Sequence, residues 1–249
     1  MNSYKLSRYA LACLAATTVT CVAEAGEWSG RGEAGVVLAS GNTETKAGNA
    51  KLAAVYKTAA WTHQGGFAAV YASDAEETTA QRWEASEQSN FQFDQRNYWF
   101  GGLRYENDRF SGFAHQGTAS TGLGHKFYDT SETLLSTQLG VGYKFSESRD
   151  TFSPAGVLLV PGEDESALAV IGTAEYKRAL NAATTLLDKL TVEYTADNTF
   201  IQNELALQAK MNDKLALAIG YAVRHNTKPP AAFTKTDTLV TANVVYEVK

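Results

Sequence analysis

The chain of 249 residues carries a net charge of −5, and 20% of its residues are charged while 44% are hydrophobic. This apolar content, with only 4 prolines, excludes a disordered or collagen-like protein. The acidic balance and the interspersed charges leave no electrostatic footprint for nucleic acid. No run of about 18 apolar residues occurs beyond the N-terminal region, which argues against a membrane-spanning helix.

Residues 1–25 have the order of features that is typical of a secretory signal peptide. Lys5 and Arg8 give a positive start, an apolar stretch of small residues follows, and Ala23-Glu24-Ala25 fits a cleavage site. Cleavage would leave a single mature domain, residues 26–249, that begins at Gly26. Both cysteines of the chain fall within the signal segment, so we expect no disulfide and no thiol in the mature protein.

From Gly26 onward, apolar residues alternate with small or polar ones at a period of two, which sorts them onto the two faces of a strand. The alternation predicts about twelve strands. They are marked, in chain order, by Trp28–Leu38, Ala50–Tyr56, Trp61–Tyr71, Trp83–Phe93, Asn97–Glu106, Phe113–Phe127, Leu135–Phe145, Leu168–Tyr176, Leu190–Tyr194, Leu205–Met211, Leu215–Val223 and Val240–Val248.

Leu135–Phe145 shows the alternation most clearly, because every second residue is apolar and the others are small or polar. Its length exceeds that of most soluble strands and matches a bilayer-crossing strand of roughly 9–11 residues. The strand Asn97–Glu106 is ambiguous, since aromatic residues such as Tyr98 and Trp99 occur on both of its faces. The apolar run Val157–Val160 has no obvious strand partner.

The connections between the predicted strands alternate in length. Those at 58–60, 94–96, 128–132, 181–183 and 212–214 are short, whereas those at 40–45, 73–80, 107–112, 147–166 and 226–235 are mostly longer. Outer-membrane barrels have this asymmetry, with short periplasmic turns and longer external loops. The pattern therefore predicts an all-β, antiparallel transmembrane β-barrel with both termini periplasmic. A soluble β-sandwich or periplasmic barrel is the alternative.

Charged residues of both signs recur on the polar faces and are the candidates to line the lumen. They are Arg31, Glu33, Lys51, Arg82, Glu84, Arg104, Glu106, Lys144, Glu175, Lys177, Glu193, Glu204 and Arg224. If they pair with one another they form a polar plug, and if water separates them they line a narrow pathway. The pathway is favoured because Gly122, Gly124, Gly140, Gly142 and Gly220 leave inward positions without side chains.

Catalytic and metal-binding patterns are weak. His63, His115, His125 and His225 form no H-x-x-x-H pair, so we expect no metal site and no cofactor. A barrel phospholipase would need a histidine and a serine at the outer rim, for which His115 with Ser111 is the nearest candidate. The acidic groups 74–77 and 163–165 could attract divalent cations, but we interpret them as solvated loops.

Three features resemble the DUF481 family of YdiY-like, salt-induced outer-membrane proteins across most of the mature chain. They are the segments Ser40–Thr43 and Trp99–Phe110, and the glycine-spaced Gly122-Leu123-Gly124 with Leu139–Tyr143. The resemblance implies a β-barrel in the outer membrane of a Gram-negative bacterium and no established reaction. Its implied partners are membrane lipid, lipopolysaccharide and the barrel assembly machinery, although this chain ends in Lys249 instead of the usual aromatic residue.

The favoured function is a narrow channel for small ions or solutes and not an enzyme. A non-conducting structural or stress-related envelope barrel is one alternative. An enzyme or adhesin that acts through external loops is another, and the connection 147–166 is its only candidate loop.

Overall fold

The computed structural model describes residues 26–40, 45–74, 77–108, 113–152, 157–229 and 233–248. The predicted signal segment 1–25 lies outside the described residues, and so do Glu76 and Ser111. Within the described ranges, no helix is long and apolar enough to cross a membrane.

Fourteen strands occur among the described residues. They are β1 (Glu27–Ser40), β2 (Thr45–Lys57), β3 (Trp61–Asp74), β4 (Glu77–Gln92), β5 (Asn97–Asp108), β6 (Phe113–Asp129), β7 (Thr133–Ser148), β8 (Thr151–Phe152), β9 (Leu158–Val160), β10 (Asp164–Ala179), β11 (Thr184–Tyr194), β12 (Thr199–Lys210), β13 (Leu215–Asn226) and β14 (Thr236–Val248). All except β8 and β9 form one closed barrel, in which β7 pairs with β10 and β1 closes on β14. Every pairing is antiparallel, so the predicted barrel of about twelve strands is confirmed.

The two faces of β7 are those that the alternation predicts. Leu139 on the outer face is 67% exposed, whereas Ser136 on the inner face is 7% exposed. Such an outer face of large apolar side chains is unfavourable in water and suits hydrocarbon. Because side chains alternate strictly along a strand, one correct assignment fixes the facing of the whole element.

The structure resolves the ambiguous strand β5. Tyr98 and Phe100 face inward and are only 4% and 2% exposed, while Trp99 and Leu103 lie on the outer face. A Cβ added at Gly124 would meet the ring of Tyr98. The aromatic rings of β5 therefore occupy space that the glycines of neighbouring strands leave.

The expectation that the inward glycines leave the lumen open is therefore wrong along this wall. A Cβ added at Gly122 or at Gly140 would meet both the backbone of the neighbouring strand and the ring of Phe100, and one added at Gly142 would meet the side chain of Ile171. Interiors pack to high density, so a glycine opposite a ring indicates close packing and not a passage.

Two predictions about the connections are also corrected. Residues 73–80 were expected to form a loop, but β3 extends to Asp74 and β4 begins at Glu77. The apolar run Val157–Val160 does have a strand partner, since β9 pairs with β8 in a small hairpin of the long connection. Backbone pairing within one loop is hard to see in sequence because two or three residues carry no periodicity.

The short turns lie at the barrel end where β1 begins and β14 ends, which we call the terminal end; the opposite end is the loop end. Asp94 closes one short turn by accepting hydrogen bonds from the backbone of Arg96 and from the backbone and side chain of Asn97. These hydrogen bonds, led by the one from the Asn97 side chain, lower the pKa of Asp94. The side chain thus holds the turn in the manner typical of aspartate.

Candidate functional site in the barrel lumen

Glu106 on β5 is the centre of the lumen charges. Its side chain is fully buried, and it accepts hydrogen bonds from Arg224 at 2.8 and 2.9 Å. Arg104 makes a shorter contact to the same carboxylate, and Arg82 lies 3.4 Å away. Gln116 donates from β6 at 3.3 Å. A carboxylate excluded from water needs such partners, because an unpaired buried charge is strongly destabilising.

The contact between Glu106 and Arg224 spans the barrel. β5 and β13 stand opposite each other in the ring of twelve strands, so the guanidinium reaches the carboxylate from the far wall. Arg224 also lies 3.5 Å from Asp108. Both residues of the cross-barrel pair are the tenth of the twelve in their strands, counted from the terminal end. The lumen is therefore crossed by charged side chains in its loop-end half.

Two further carboxylates extend this network. Glu84 contacts Arg82 at 2.9 Å and Arg104 at 3.0 Å. Glu193, from β11, lies 3.3 Å from Lys144 and 3.6 Å from Arg104. Each cation thus has at least one carboxylate, and the signs alternate through the network, which lowers the cost of keeping the charges out of bulk water.

The aromatic ring of Phe200 on β12 lies beside the cations of this network. The guanidinium carbons of Arg104 and Arg224 are 5.6 and 5.2 Å from the ring centroid, and the Lys144 nitrogen is 5.6 Å from it. These distances are in the range of cation–π attraction. Phe200 therefore holds cations that come from three different strands of the wall.

A looser set of charges lies nearer the terminal end. Arg31 contacts Glu33 and Glu247, each at 2.7 Å. Lys51 lies 3.3 Å from Glu204, and their side chains are 43% and 37% exposed. These exposures show that the lumen is accessible to water at the level of Lys51 and Glu204, unlike the surroundings of Glu106.

A cavity of about 530 Å³ runs beside the charge network. It is lined by Lys51, Arg82 and Glu204, and it extends from Glu175 toward the terminal end to Asp237 toward the loop end. Strands β5–β7 contribute little to it, since the rings of β5 fill that side. The open part of the lumen is therefore confined to one side of the barrel and has charges of both signs on its wall.

The sequence-predicted lumen residues fall into three groups. Arg82, Glu84, Arg104, Glu106, Lys144, Glu193 and Arg224 meet in the central network, whereas Arg31 with Glu33 and Lys51 with Glu204 form the terminal-end pairs. Glu175 and Lys177 are exposed side chains near the terminal end of β10 and are not brought into the network. The strand register separates Glu175 and Lys177 from the network. Lys144 is paired with Ala167, whereas Glu175 is paired with Ser136, nearer the terminal end of β7.

Sequence reasoning missed several members of the site. The predicted strand ends at Glu106, so Asp108 falls in the predicted loop, and Phe200 is aromatic and not polar. Asp108 continues the inward set of β5 two residues beyond Glu106, so extending that strand by one repeat would have found it. Phe200 carries no such signal, since an inward aromatic residue breaks the rule that polar residues face the lumen.

The histidines are not brought together. Each lies on the outer face near one end of a strand, and His115 is 3.5 Å from Glu147. Ser111, its proposed catalytic partner, lies outside the described residues. In the part of the chain that the structure describes, no group of three histidine, cysteine or carboxylate side chains could hold a metal ion.

Comparison with known proteins gives a family and a fold. A family model described as "Protein of unknown function, DUF481" matches residues 32–248. "Uncharacterized protein YdiY" of Escherichia coli (strain K12) is 24% identical over 226 residues, which cover 89% of this chain and 83% of the relative. The resemblance inferred from the sequence is thus confirmed.

Two solved outer-membrane barrels have a similar fold. The translocator domain of the autotransporter NalP from Neisseria meningitidis superimposes with a TM-score of 0.55 at 12% identity, covering 88% of both chains. The NanC porin superimposes with a TM-score of 0.54 at 11% identity, covering 89% of this chain and all of that one. At such identities the likeness concerns the fold alone.

Proposed function

This chain belongs to the DUF481 family, and we propose that it is a narrow channel for small ions and hydrophilic solutes in the outer membrane of a Gram-negative bacterium. In this proposal the signal segment 1–25 is removed. Both termini are periplasmic, because the short turns lie at the terminal end and periplasmic turns are the short ones in outer-membrane barrels. The surrounding lipid and lipopolysaccharide are its contacts in the membrane, and the barrel assembly machinery inserts it.

The cavity of about 530 Å³ is the observation that carries the proposal. A barrel that served only as a structural element would gain stability by filling this space, because interiors pack densely. Here the wall instead carries exposed charged side chains such as Lys51 and Glu204. Water-accessible charges of both signs suit the passage of small polar solutes.

The network around Glu106 limits what could pass. It joins opposite walls through Arg224, so a wide porin-like opening is excluded at that level. Solutes would have to pass beside the network, past Arg82 and Asp108, both of which border the cavity. The proposed passage is thus narrow, and its charged wall would select among solutes by sign and size.

A non-conducting envelope barrel is the second candidate, and the cross-barrel network is the observation that favours it. If the charges around Glu106 close the lumen completely, the cavity is a water-filled recess and no ion crosses. The fold's likeness to the NanC porin agrees with the channel, but the likeness to a translocator domain agrees with neither function in particular.

Single-channel recording on the refolded protein in planar bilayers tests the proposal. We expect the wild type to show small, resolvable conductance steps. Lys51→Glu should shift the reversal potential toward cation selectivity, because charged side chains that line a pore select by sign. The loss of stability should be modest, because Lys51 is 43% exposed in its pair with Glu204 and water screens the repulsion between the new carboxylate and Glu204.

Lys214→Glu is the matched control, because it makes the same charge change in the turn between β12 and β13. Its reversal potential should stay close to that of the wild type. Absence of conductance in the wild type and in both variants, with all three proteins correctly folded, would favour the non-conducting barrel.

A further inference from the structure

Three polar residues form a cluster on the outer, lipid-facing surface of β3 and β4. The hydroxyl of Ser89 lies 2.6 Å from a carboxylate oxygen of Glu87, to which it donates, and 2.7 Å from Nδ1 of His63. Ser89 has a single proton, so Nδ1 of His63 must be the donor in the second hydrogen bond. We call His63, Glu87 and Ser89 the outer polar cluster.

The strand register puts the cluster on the outer face. His63 on β3 pairs with Ser89 on β4. Along β4, Glu87 and Ser89 lie on the same face as Trp83 and Phe91, whose side chains are exposed on the outside of the barrel. A charged group on this face is unfavourable in hydrocarbon unless it has a partner. Among the described residues, no lysine or arginine pairs with Glu87, whose side chain is exposed.

The order of the three groups does not suit a hydrolase. A catalytic triad needs the histidine between the serine and the acid, so that the acid orients the base. Here the serine lies between the histidine and the acid, and the Glu87 carboxylate accepts its hydrogen bond from Ser89 and not from the His63 ring. The arrangement is better suited to holding a ligand that carries a positive and a negative group close together.

Aromatic side chains surround the histidine. The ring of Trp61 stacks on that of His63, with centroids 5.6 Å apart and planes inclined by 5°. The ring of Tyr56, on the neighbouring strand β2, lies 6.4 Å from that of His63. Belts of this kind sit at the level of lipid headgroups. The cluster thus begins at the headgroup level and extends toward the hydrocarbon with Glu87.

An apolar groove of about 570 Å³ adjoins the cluster. Its floor is formed by small residues, including Gly65, and its walls by side chains such as Leu52 and Phe67. Gly65 is the cross-strand partner of Glu87, so the groove starts beside the carboxylate. A Cβ added at Gly65 would meet nothing within 4 Å, which shows that the space above the floor is open.

We propose that the outer polar cluster and this groove bind a phospholipid with a primary ammonium headgroup. Glu87 pairs with the ammonium, which supplies the cation that the described residues lack. The indole N–H of Trp61 is the donor suited to the phosphate, whereas His63, whose Nδ1 proton is engaged by Ser89, holds the serine in place. The Ser89 hydroxyl lies within 2.7 Å of both the Glu87 carboxylate and the His63 ring on which Trp61 stacks, so the ammonium and phosphate positions are close together, as a zwitterionic headgroup requires. One acyl chain lies in the groove.

Tryptophan quenching by brominated lipids tests the proposal, because the four tryptophans of the chain all lie on the outer face of the barrel sector from β1 to β5. They are Trp28, Trp61, Trp83 and Trp99. The refolded wild type is placed in phosphatidylcholine vesicles containing brominated phosphatidylethanolamine or brominated phosphatidylglycerol at equal mole fraction. We expect an apparent association about two- to fivefold stronger for phosphatidylethanolamine, the size typical of one exposed ion pair with a cation–π contact.

Glu87→Gln should abolish this preference while leaving the conductance unchanged. Asp188→Asn is the matched control, because Asp188 is also on the outer face, where it accepts a hydrogen bond from Asn203 at 2.7 Å, but it lies on β11, far from the tryptophans. Gly65→Leu fills the groove without a clash at its Cβ and should weaken the association of both brominated lipids.

Equal quenching by the two lipids in the wild type would overturn the proposal without any variant. A preference that survives in Glu87→Gln would also overturn it. If the wild type is a dimer in vesicles and Glu87→Gln makes it monomeric, the surface is a protein interface and the lipid site is rejected.

Discussion

Replacement of Glu106 by glutamine tests the central network most directly. The variant keeps the size of the side chain and removes its charge, so that Arg82, Arg104 and Arg224 lose a shared carboxylate. Removing one partner of a buried ion pair costs about 3–5 kcal/mol. We expect about 3 kcal/mol, the lower end, because each of the three guanidinium groups retains another carboxylate within 3.5 Å.

Glu204→Gln is the control for this measurement. It removes the same charge from the water-accessible pair with Lys51, in which both side chains are more than a third exposed. Exposed pairs contribute about 0.2–1 kcal/mol, so the two variants should differ by about 2 kcal/mol.

The assay is urea unfolding of the refolded barrel in lipid vesicles, followed by tryptophan fluorescence in both the unfolding and the refolding direction. The change in midpoint, at unchanged slope, gives the difference in free energy of unfolding. Equal losses in the free energy of unfolding for Glu106→Gln and Glu204→Gln would contradict this prediction. They would show that burying Glu106 does not increase the cost of removing its charge.

Two further predictions concern the faces of the barrel and its packed wall. Leu139→Arg should cost roughly 2–4 kcal/mol on the lipid face, and Gln138→Arg on the inner face much less, in the same refolding titration; equal costs would mean that the faces are misassigned. Gly124→Ala should displace the ring of Tyr98 and cost about 1–3 kcal/mol as an overpacked site does. Gly172→Ala, where a Cβ meets nothing within 4 Å, should change the unfolding midpoint little. A neutral Gly124→Ala variant would contradict the close packing of that wall.

The outer polar cluster shows how much a strict reading of the alternation can reveal. In β4 the apolar outer set contains Trp83, Ala85 and Phe91, and the positions between Ala85 and Phe91 in the same set are Glu87 and Ser89. Two polar residues that interrupt a lipid-facing set are a visible signal. Their partner His63 is not visible, because cross-strand register depends on the turn between the strands.

The sequence by itself determined the strand architecture of this protein. A period of two is a local property, so Leu135–Phe145 and its counterparts reveal their facing without knowledge of the fold, and the alternation of short and long connections predicts the antiparallel barrel. The sequence also placed charged residues of both signs, among them Glu106 and Arg224, on the inner faces.

Only the tertiary structure decided which of these charges meet. Glu106 and Arg224 belong to strands on opposite walls. Their contact depends on the closure and diameter of the barrel, which a local sequence pattern does not predict. The inward facing of Tyr98 and Phe100 was likewise undecided in sequence, because aromatic residues suit either the lipid belt or a packed interior. Their rings enter the interior because the neighbouring strands carry glycines at the facing positions, and that complementarity exists only once the register is set.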